Sequence, residues 1–414
     1  MKKNLLRLSG TLVLIAACGF AHGQIVSGNA FLKSTYVEMG VNPYGVYISN
    51  VAPPAGYHSV GGLPYLGIIA DADKDGWLTG SPIYCGDYFA PGSPEEGFAI
   101  QVGPTSYHNT FYGAPADAAG GIVGYNTSPG GVAAVWKGTI PMGGAVTGLQ
   151  VTQTTTINTG KTMVITTVQL KNTSASTLNQ VYYTRNADPD NEEEWSFDFT
   201  TNNIILKNHP TDAWAEVSAT GLFYGCYFAM ASEQSNAIAS YGGFATSSVI
   251  PKDAWLGVSP FAITGSAIAD VAIQMSFKVG NIAPGQTKVI SFIYGTNEDD
   301  LAMVVGLTGD EVVGRMEAEI NGVENVEFQP EFKVSPNPSH GDLNLYAYDM
   351  SSTSELNLQI VNLMGEVVYN SALQNNNGIL ANTIQLDPSL ANGTYYATLM
   401  VDGKPFTQAF VLSR

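Results

Sequence analysis

The 414-residue chain is short of charge, of basic charge above all, and of histidine and cysteine. Charged residues make up 13%, against an ordinary globular share of about 25%. Lys and Arg number 17 against 35 Asp and Glu, for a net charge of −18. Nucleic acid and anionic lipid surfaces demand clustered Lys and Arg, so neither is an expected partner. Five histidines without a His-Glu-x-x-His arrangement exclude a zinc protease of that kind. The chain also lacks a Gly-x-Ser-x-Gly elbow, a phosphate loop and a Cys-His pair in a recognisable frame, so no enzyme chemistry is expected. No apolar run approaches the roughly 20 residues that a transmembrane helix requires.

What is present is a globular composition, 45% hydrophobic and 10% aromatic, which can bury enough surface to offset chain entropy and excludes the disordered class. Short runs of period-two alternation, punctuated by Gly, Pro, Asn and Asp, predict an all-β fold. Residues 24–320 read as a large β-sandwich region of one or two lobes, with a sub-boundary near 144 in the two-lobe case. A polar linker over 321–331 leads to a compact set of strands over 332–414. Thr162–Leu170 and Leu178–Tyr183 read as a hairpin around Lys171-Asn172-Thr173-Ser174. Ala272–Val279 and Lys288–Tyr294 read as a second strand pair around Pro284-Gly285. Only Glu298–Val305 and Asp310–Ile320 read as helices, both with acids in the first turn.

The first 23 residues form a secretory signal peptide: a basic start with Lys2, Lys3 and Arg7, an apolar stretch over Leu12–Ala17, and small residues before Gln24. Its removal takes the net charge from −18 to −21. Ile15-Ala16-Ala17-Cys18 offers the alternative of a lipid-modified Cys18. The mature chain keeps Cys85 and Cys226. In an oxidising compartment these form either one long-range disulfide or two buried thiols.

At Phe332-Lys333-Val334-Ser335-Pro336-Asn337-Pro338, followed by Gly341, a family resemblance begins. It continues through Leu358–Val368 with Gly365, through Leu390–Tyr396 with Gly393 and Tyr395, and ends at Phe410-Val411. This order and spacing resembles the type A sorting domain of the type IX secretion system of Bacteroidetes. The resemblance implies a small C-terminal antiparallel sandwich, recognition by an outer-membrane translocon, and a secreted or outer-surface destination. One departure is the terminus, where Arg414 stands in place of the family's usual lysines.

Two aspartate-rich loops carry the metal expectation. Asp71, Asp73 and Asp75 alternate before Gly76, and Asn186, Asp188 and Asp190 alternate before Glu192-Glu193-Glu194. Alternate carboxylates around a turn suit a hard cation, so calcium is the expected ion at both. Position twelve of an EF-hand is occupied by Pro82, so the first loop needs a distant ligand; Asp87, Glu95 and Glu96 are the candidates. A turn capped by its own side chains is the competing reading. Asp87, Glu95, Glu96 and Glu194 beside aromatics are the acids that a carboxylate-pair hydrolase would use. Tyr84, Tyr88, Phe89, Tyr107, Tyr112, Tyr182, Tyr183, Trp195 and Trp214 supply either a sugar-stacking surface or core.

Together these readings predict an exported, all-β, calcium-stabilised binding or adhesion protein whose ligand is a glycan or a surface protein. The alternatives are a polysaccharide-degrading hydrolase and a structural surface or filament subunit.

Overall fold

The computed structural model describes residues 22–58, 63–128, 131–142, 148–305, 332–347, 355–373, 380–401 and 403–414. The signal peptide with Cys18, the sub-boundary near 144, the helix expected over 310–320 and the linker over 321–331 lie outside the described residues, apart from the last two positions of the signal. The chain divides into two compact units, 1–322 and 323–414. Both are built of antiparallel sheets, and the fold is all-β.

In the first unit, a nine-stranded sheet runs Ser266–Ala269, Thr201–Lys207, Ala215–Gly221, Tyr227–Ser232, Thr287–Gly295, Met163–Asn172, Gly148–Asn158, Gly131–Pro141, Ala119–Ser128. A five-stranded sheet, Ala237–Tyr241, Ile273–Ile282, Leu178–Ala187, Glu96–Val102 and Thr105–Thr110, shares its core. The four strands His22–Val26, Asn29–Lys33, Val37–Val41 and Ile68–Ala70 form a third sheet that joins the same core. Alternation along Met163–Asn172 explains its placement: Val164, Val168 and Leu170 are buried on the inner side. Leu32, Met39 and Ile68 of the N-terminal sheet belong to one continuous apolar cluster with Val151, Tyr183 and Phe292.

The two expected strand pairs are not hairpins. Met163–Asn172 lies in the nine-stranded sheet and Leu178–Ala187 in the five-stranded one; Ile273–Ile282 and Thr287–Gly295 divide in the same way. Each turn is an arch that carries the chain from one layer to the other. Asn172 ties the two arches together, donating from its side chain to the carbonyls of Ser176 and Ile282, both at 2.8 Å, and accepting from Gly285 N–H at its own carbonyl. Turn residues predicted a change of direction, but alternation alone cannot distinguish an in-plane reversal from a crossing between layers.

Helix Glu298–Val305 forms where acids were expected to start it. A short helix at Pro251–Leu256 was not expected from the sequence; Pro251 opens it and Gly257, at φ +69°, ends it.

The second unit pairs a three-stranded sheet, Phe332–Ser335, Asp342–Ala347 and Leu380–Gln385, with a four-stranded one, Val367–Leu373, Leu356–Asn362, Gly393–Val401, Lys404–Leu412. Leu343, Leu345, Leu358, Ile360, Leu399 and Leu412 are fully buried between them. The dispersed motifs of this unit meet in space. Asn337 accepts the Val411 N–H at 2.9 Å, and Ser413 N–H donates to Ser339 O at 2.8 Å. The Arg414 guanidinium donates to the carbonyls of Leu386, Asp387 and Pro388, while its backbone N–H reaches Asn392. A Cβ at Gly341, where φ is +124°, would come 3.0 Å from the Arg414 Nη2. Gly365, at φ +80°, turns the hairpin between Asn362 and Glu366, and the Tyr395 hydroxyl donates to Ala391 O.

Candidate functional site

The apolar run Leu66–Ile69 leads into the short strand Ile68–Ala70, and the chain then wraps around its first aspartate. Buried Asp71 accepts the N–H groups of Gly76 at 2.8 Å and Trp77 at 3.0 Å. Asp75 accepts the Leu78 and Thr79 N–H groups and the Thr79 hydroxyl, and these bonds, the Thr79 hydroxyl foremost, hold its carboxyl below the usual range. Asp73 is exposed. Lys74 turns away to pair with buried Asp300 at 2.8 Å, and Asn297 donates to Ala72 O. Burial would raise Asp300, but Lys74 and Thr162 outweigh it and lower its pKa. The loop is thus closed on its own backbone and on the start of the helix Glu298–Val305.

This wrapping presents Trp77, whose indole N–H donates to Thr35 O. His58 stacks on Trp77 with ring centroids 4.1 Å apart and planes at 17°. The His58 imidazole is held by Glu38 at 3.0 Å, and Lys33 also pairs with that buried carboxylate at 2.5 Å. Tyr84 meets Trp77 edge-on at 6.1 Å and Trp195 at 5.6 Å; the Trp195 indole donates to Tyr84 O. Cys85 is bonded to Cys226, Cα to Cα 5.7 Å, which fastens this row to the hairpin 221–227. The four rings are all partly exposed. Next to them in the chain stand Leu78, 75% exposed, and Phe197, 82% exposed.

The second acidic loop lies against the same disulfide. Glu192 N–H donates to Cys85 O, and the buried Glu192 carboxylate accepts the N–H groups of Phe223, Tyr224 and Cys226. The first of the three consecutive glutamates is thus turned inward onto backbone donors, which stabilise its carboxylate. Asn186, expected as a ligand, holds its amide in hydrogen bonds: Nδ2 donates to Phe244 O and Thr246 Oγ1, and Oδ1 accepts from Gln274 Nε2.

Asp188 and Asp190 are buried, and neither carboxylate takes a hydrogen bond or a countercharge from the described residues. Burial, then the charges of Asp270 and Glu95, pushes Asp188 up to about 8. Burial, then Asp188, Asp270, Glu193 and Asp87, pushes Asp190 well up. Asp270, about eighty positions away, was not singled out in the sequence, and no local pattern marks it. Among the described residues, no three His, Cys, Asp or Glu side chains converge closely enough to hold a metal ion as they stand.

Three of the four acids considered as distant ligands or catalytic groups, Asp87, Glu95 and Glu96, are engaged by hydrogen bonds or an ion pair. Asp87 accepts from Gly67, Phe89 and Ala90, and burial lifts it to about 6. Glu95 accepts the Thr246 N–H at 3.0 Å, and Glu96 pairs with Arg185. Of the aromatic candidates, Tyr88, Phe89 and Tyr183 are core, Tyr182 is buried, and Trp214 donates to Glu216. Only Tyr84 and Trp195 join the partly exposed row, to which the sequence reading had not assigned His58 or Trp77.

Residues 333–413 match the family described as secretion system C-terminal sorting domain, which sends the protein to the cell surface or beyond. No curated protein matches the chain. Among solved structures, the chain is similar to the GH92 family glycosyl hydrolase ccman5 at 12% identity and TM-score 0.33, covering 72% of this chain and 35% of that one. It is also similar to the GH36 α-galactosidase AgaA from Geobacillus stearothermophilus at 8% identity and TM-score 0.25, covering 66% and 40%. A third similarity is to PorZ, a type IX secretion surface component of Porphyromonas gingivalis, at 9% identity and TM-score 0.15, covering 95% and 59%. Scores of this size assign no activity to this chain. No helix among the described residues is long and apolar enough to cross a membrane.

Proposed function

We propose that the first unit is a binding module displayed outside the cell, and that its ligand-contacting surface is the ring row His58, Trp77, Tyr84 and Trp195. The observation that carries this reading is the row itself: four rings in mutual contact, partly open to solvent, and held rigidly by the Asp71 turn, the Glu38–His58 bond and the Cys85–Cys226 disulfide. Rings fixed in this way lose little entropy when a flat apolar face stacks on them. The ligand class is a glycan, whose pyranose faces stack while its hydroxyls reach the neighbouring carboxylates. Calcium, in this reading, serves structure at Asp188 and Asp190, where two buried carboxylates without donors suit a hard cation. Screening the secreted protein and its Trp77→Leu and His58→Ala variants on a glycan panel tests the proposal. Binding by the parent that both variants lose is the expected result; a parent that binds no glycan overturns it.

A second reading, hydrolysis by a carboxylate pair, draws on Asp188. A carboxyl lifted to about 8 keeps its proton at neutral pH, as a general acid must. Product analysis on the same panel, with Asp188→Asn as the control, decides it: no cleavage by the parent removes this reading.

A further inference from the structure

The four-stranded sheet of the C-terminal unit has two unlike faces. Its inner positions, Leu358, Ile360, Ala397, Leu399, Phe410 and Leu412, are buried. Its outer positions follow from the register, which sets Val361 opposite both Val367 and Tyr396, Gln359 opposite Thr398, and Thr398 opposite Thr407. Along all four strands, no outward side chain carries a charge. Val367, Tyr396 and Val411 are exposed on this face, and the adjoining turn adds exposed Leu363 and Met364. The unit's described charges lie off these outward positions: Lys333 and Asp342 are on strands of the other sheet, Glu355 precedes Leu356–Asn362, Glu366 and Asp387 are in turns, Lys404 starts its strand opposite Val401 on the inward register, and Arg414 is spent on backbone carbonyls.

An exposed sheet face normally carries charges that keep it soluble and discourage docking. A flat neutral face with apolar groups at one end is the surface of a protein–protein contact. A second copy of this chain is a poor occupant, since each copy carries a net charge of −18 and the face offers no cation to offset their repulsion. We infer that this face is the surface by which the sorting unit docks on a component of the secretion machinery, one presenting an equally neutral surface. The inference rests on the sorting assignment of residues 333–413.

The test places a lysine on the face, with Tyr396→Lys and Thr407→Lys as independent variants of the full chain in the secreting cell. Gln385→Lys on the exposed side of the other sheet is the control. Surface protein is quantified by fractionation, and folding of retained protein by limited proteolysis. Expected is at least a tenfold loss of surface protein for both face variants, with protease-resistant protein held inside and the control exported normally. Thr407 sits on an edge strand and is exposed, so its variant carries the test if Tyr396→Lys fails to fold. Normal export of Thr407→Lys, or equal loss in Gln385→Lys, overturns the inference. Normal export after deletion of 332–414 would instead sink the sorting assignment, so the two failures are distinguishable.

Discussion

Arg185 and Glu96 meet in a bidentate ion pair with neither side chain exposed, Nε to Oε1 at 2.5 Å and Nη2 to Oε2 at 2.7 Å. The pair stands on adjacent strands of the five-stranded sheet, deep in the shared core. Further hydrogen bonds and a ring contact surround the pair. Arg185 donates to Gln153 at 2.8 Å and Gly45 O at 3.2 Å, and its guanidinium lies 3.9 Å above the Tyr47 ring. Glu96 accepts from Tyr47 N–H and the Tyr294 hydroxyl. Removing one partner strands the other as an uncompensated buried charge, so Glu96→Gln should destabilise the fold by about 3 to 5 kcal/mol. Denaturant unfolding measures it; a change under 1 kcal/mol would mean that the network rearranges freely.

The disulfide closes a separation of 141 residues between Cys85 and Cys226. In the chain-entropy model a loop of that length is worth about 5 kcal/mol through the unfolded state. The double variant Cys85→Ser/Cys226→Ser should therefore unfold at lower denaturant, and a reductant should shift the parent but leave the variant unmoved. A parent insensitive to reductant at unfolding concentrations would show that the bond does not form.

How far the sequence reveals this molecule depends on the range of the interaction. Alternation is local, so the strands were legible, and the four tail motifs were legible because their order is fixed by one small sandwich. Layer assignment was not: Thr162–Leu170 pairs with strands at 149–157 and 287–295 rather than with Leu178–Tyr183, the next strand in the chain, a choice made by the shared core. The aspartate loops were legible as turns, but which carboxylate is satisfied by backbone and which is left bare depends on residues up to eighty positions away, such as Asp270. The ring row was half legible. Tyr84 and Trp195 stood among nine aromatic candidates, while His58 joins through Glu38, twenty positions away across a folded loop.

Asp188 gives the fold a pH dependence whose sign follows from its environment. Its carboxyl is lifted from 3.8 to about 8, so the folded state prefers it protonated. The resulting stability is fully present below about pH 4 and is lost as pH rises through about 8. Asp190, also raised, acts in the same direction. In chelator, the thermal midpoint should fall between pH 5 and pH 8, and Asp188→Asn should flatten that fall. An equal fall in parent and variant would assign the titration to other groups.

Calcium should reverse that loss. The ion binds carboxylates only when they are deprotonated, so the energy spent in ionising Asp188 and Asp190 at pH 8 is recovered by coordination, whereas at pH 5 protons compete with it. The midpoint should therefore rise with calcium more at pH 8 than at pH 5, by the equivalent of about 2.7 kcal/mol when calcium exceeds its Kd a hundredfold. The variant Asp188→Asn/Asp190→Asn should lose the response. Asp73→Asn should keep it, because the first loop spends Asp71 and Asp75 on its own N–H groups and leaves only exposed Asp73 unengaged. Identical midpoints with calcium and with chelator at both pH values would remove the metal from both loops, leaving Asp188 and Asp190 as buried acids without a cation.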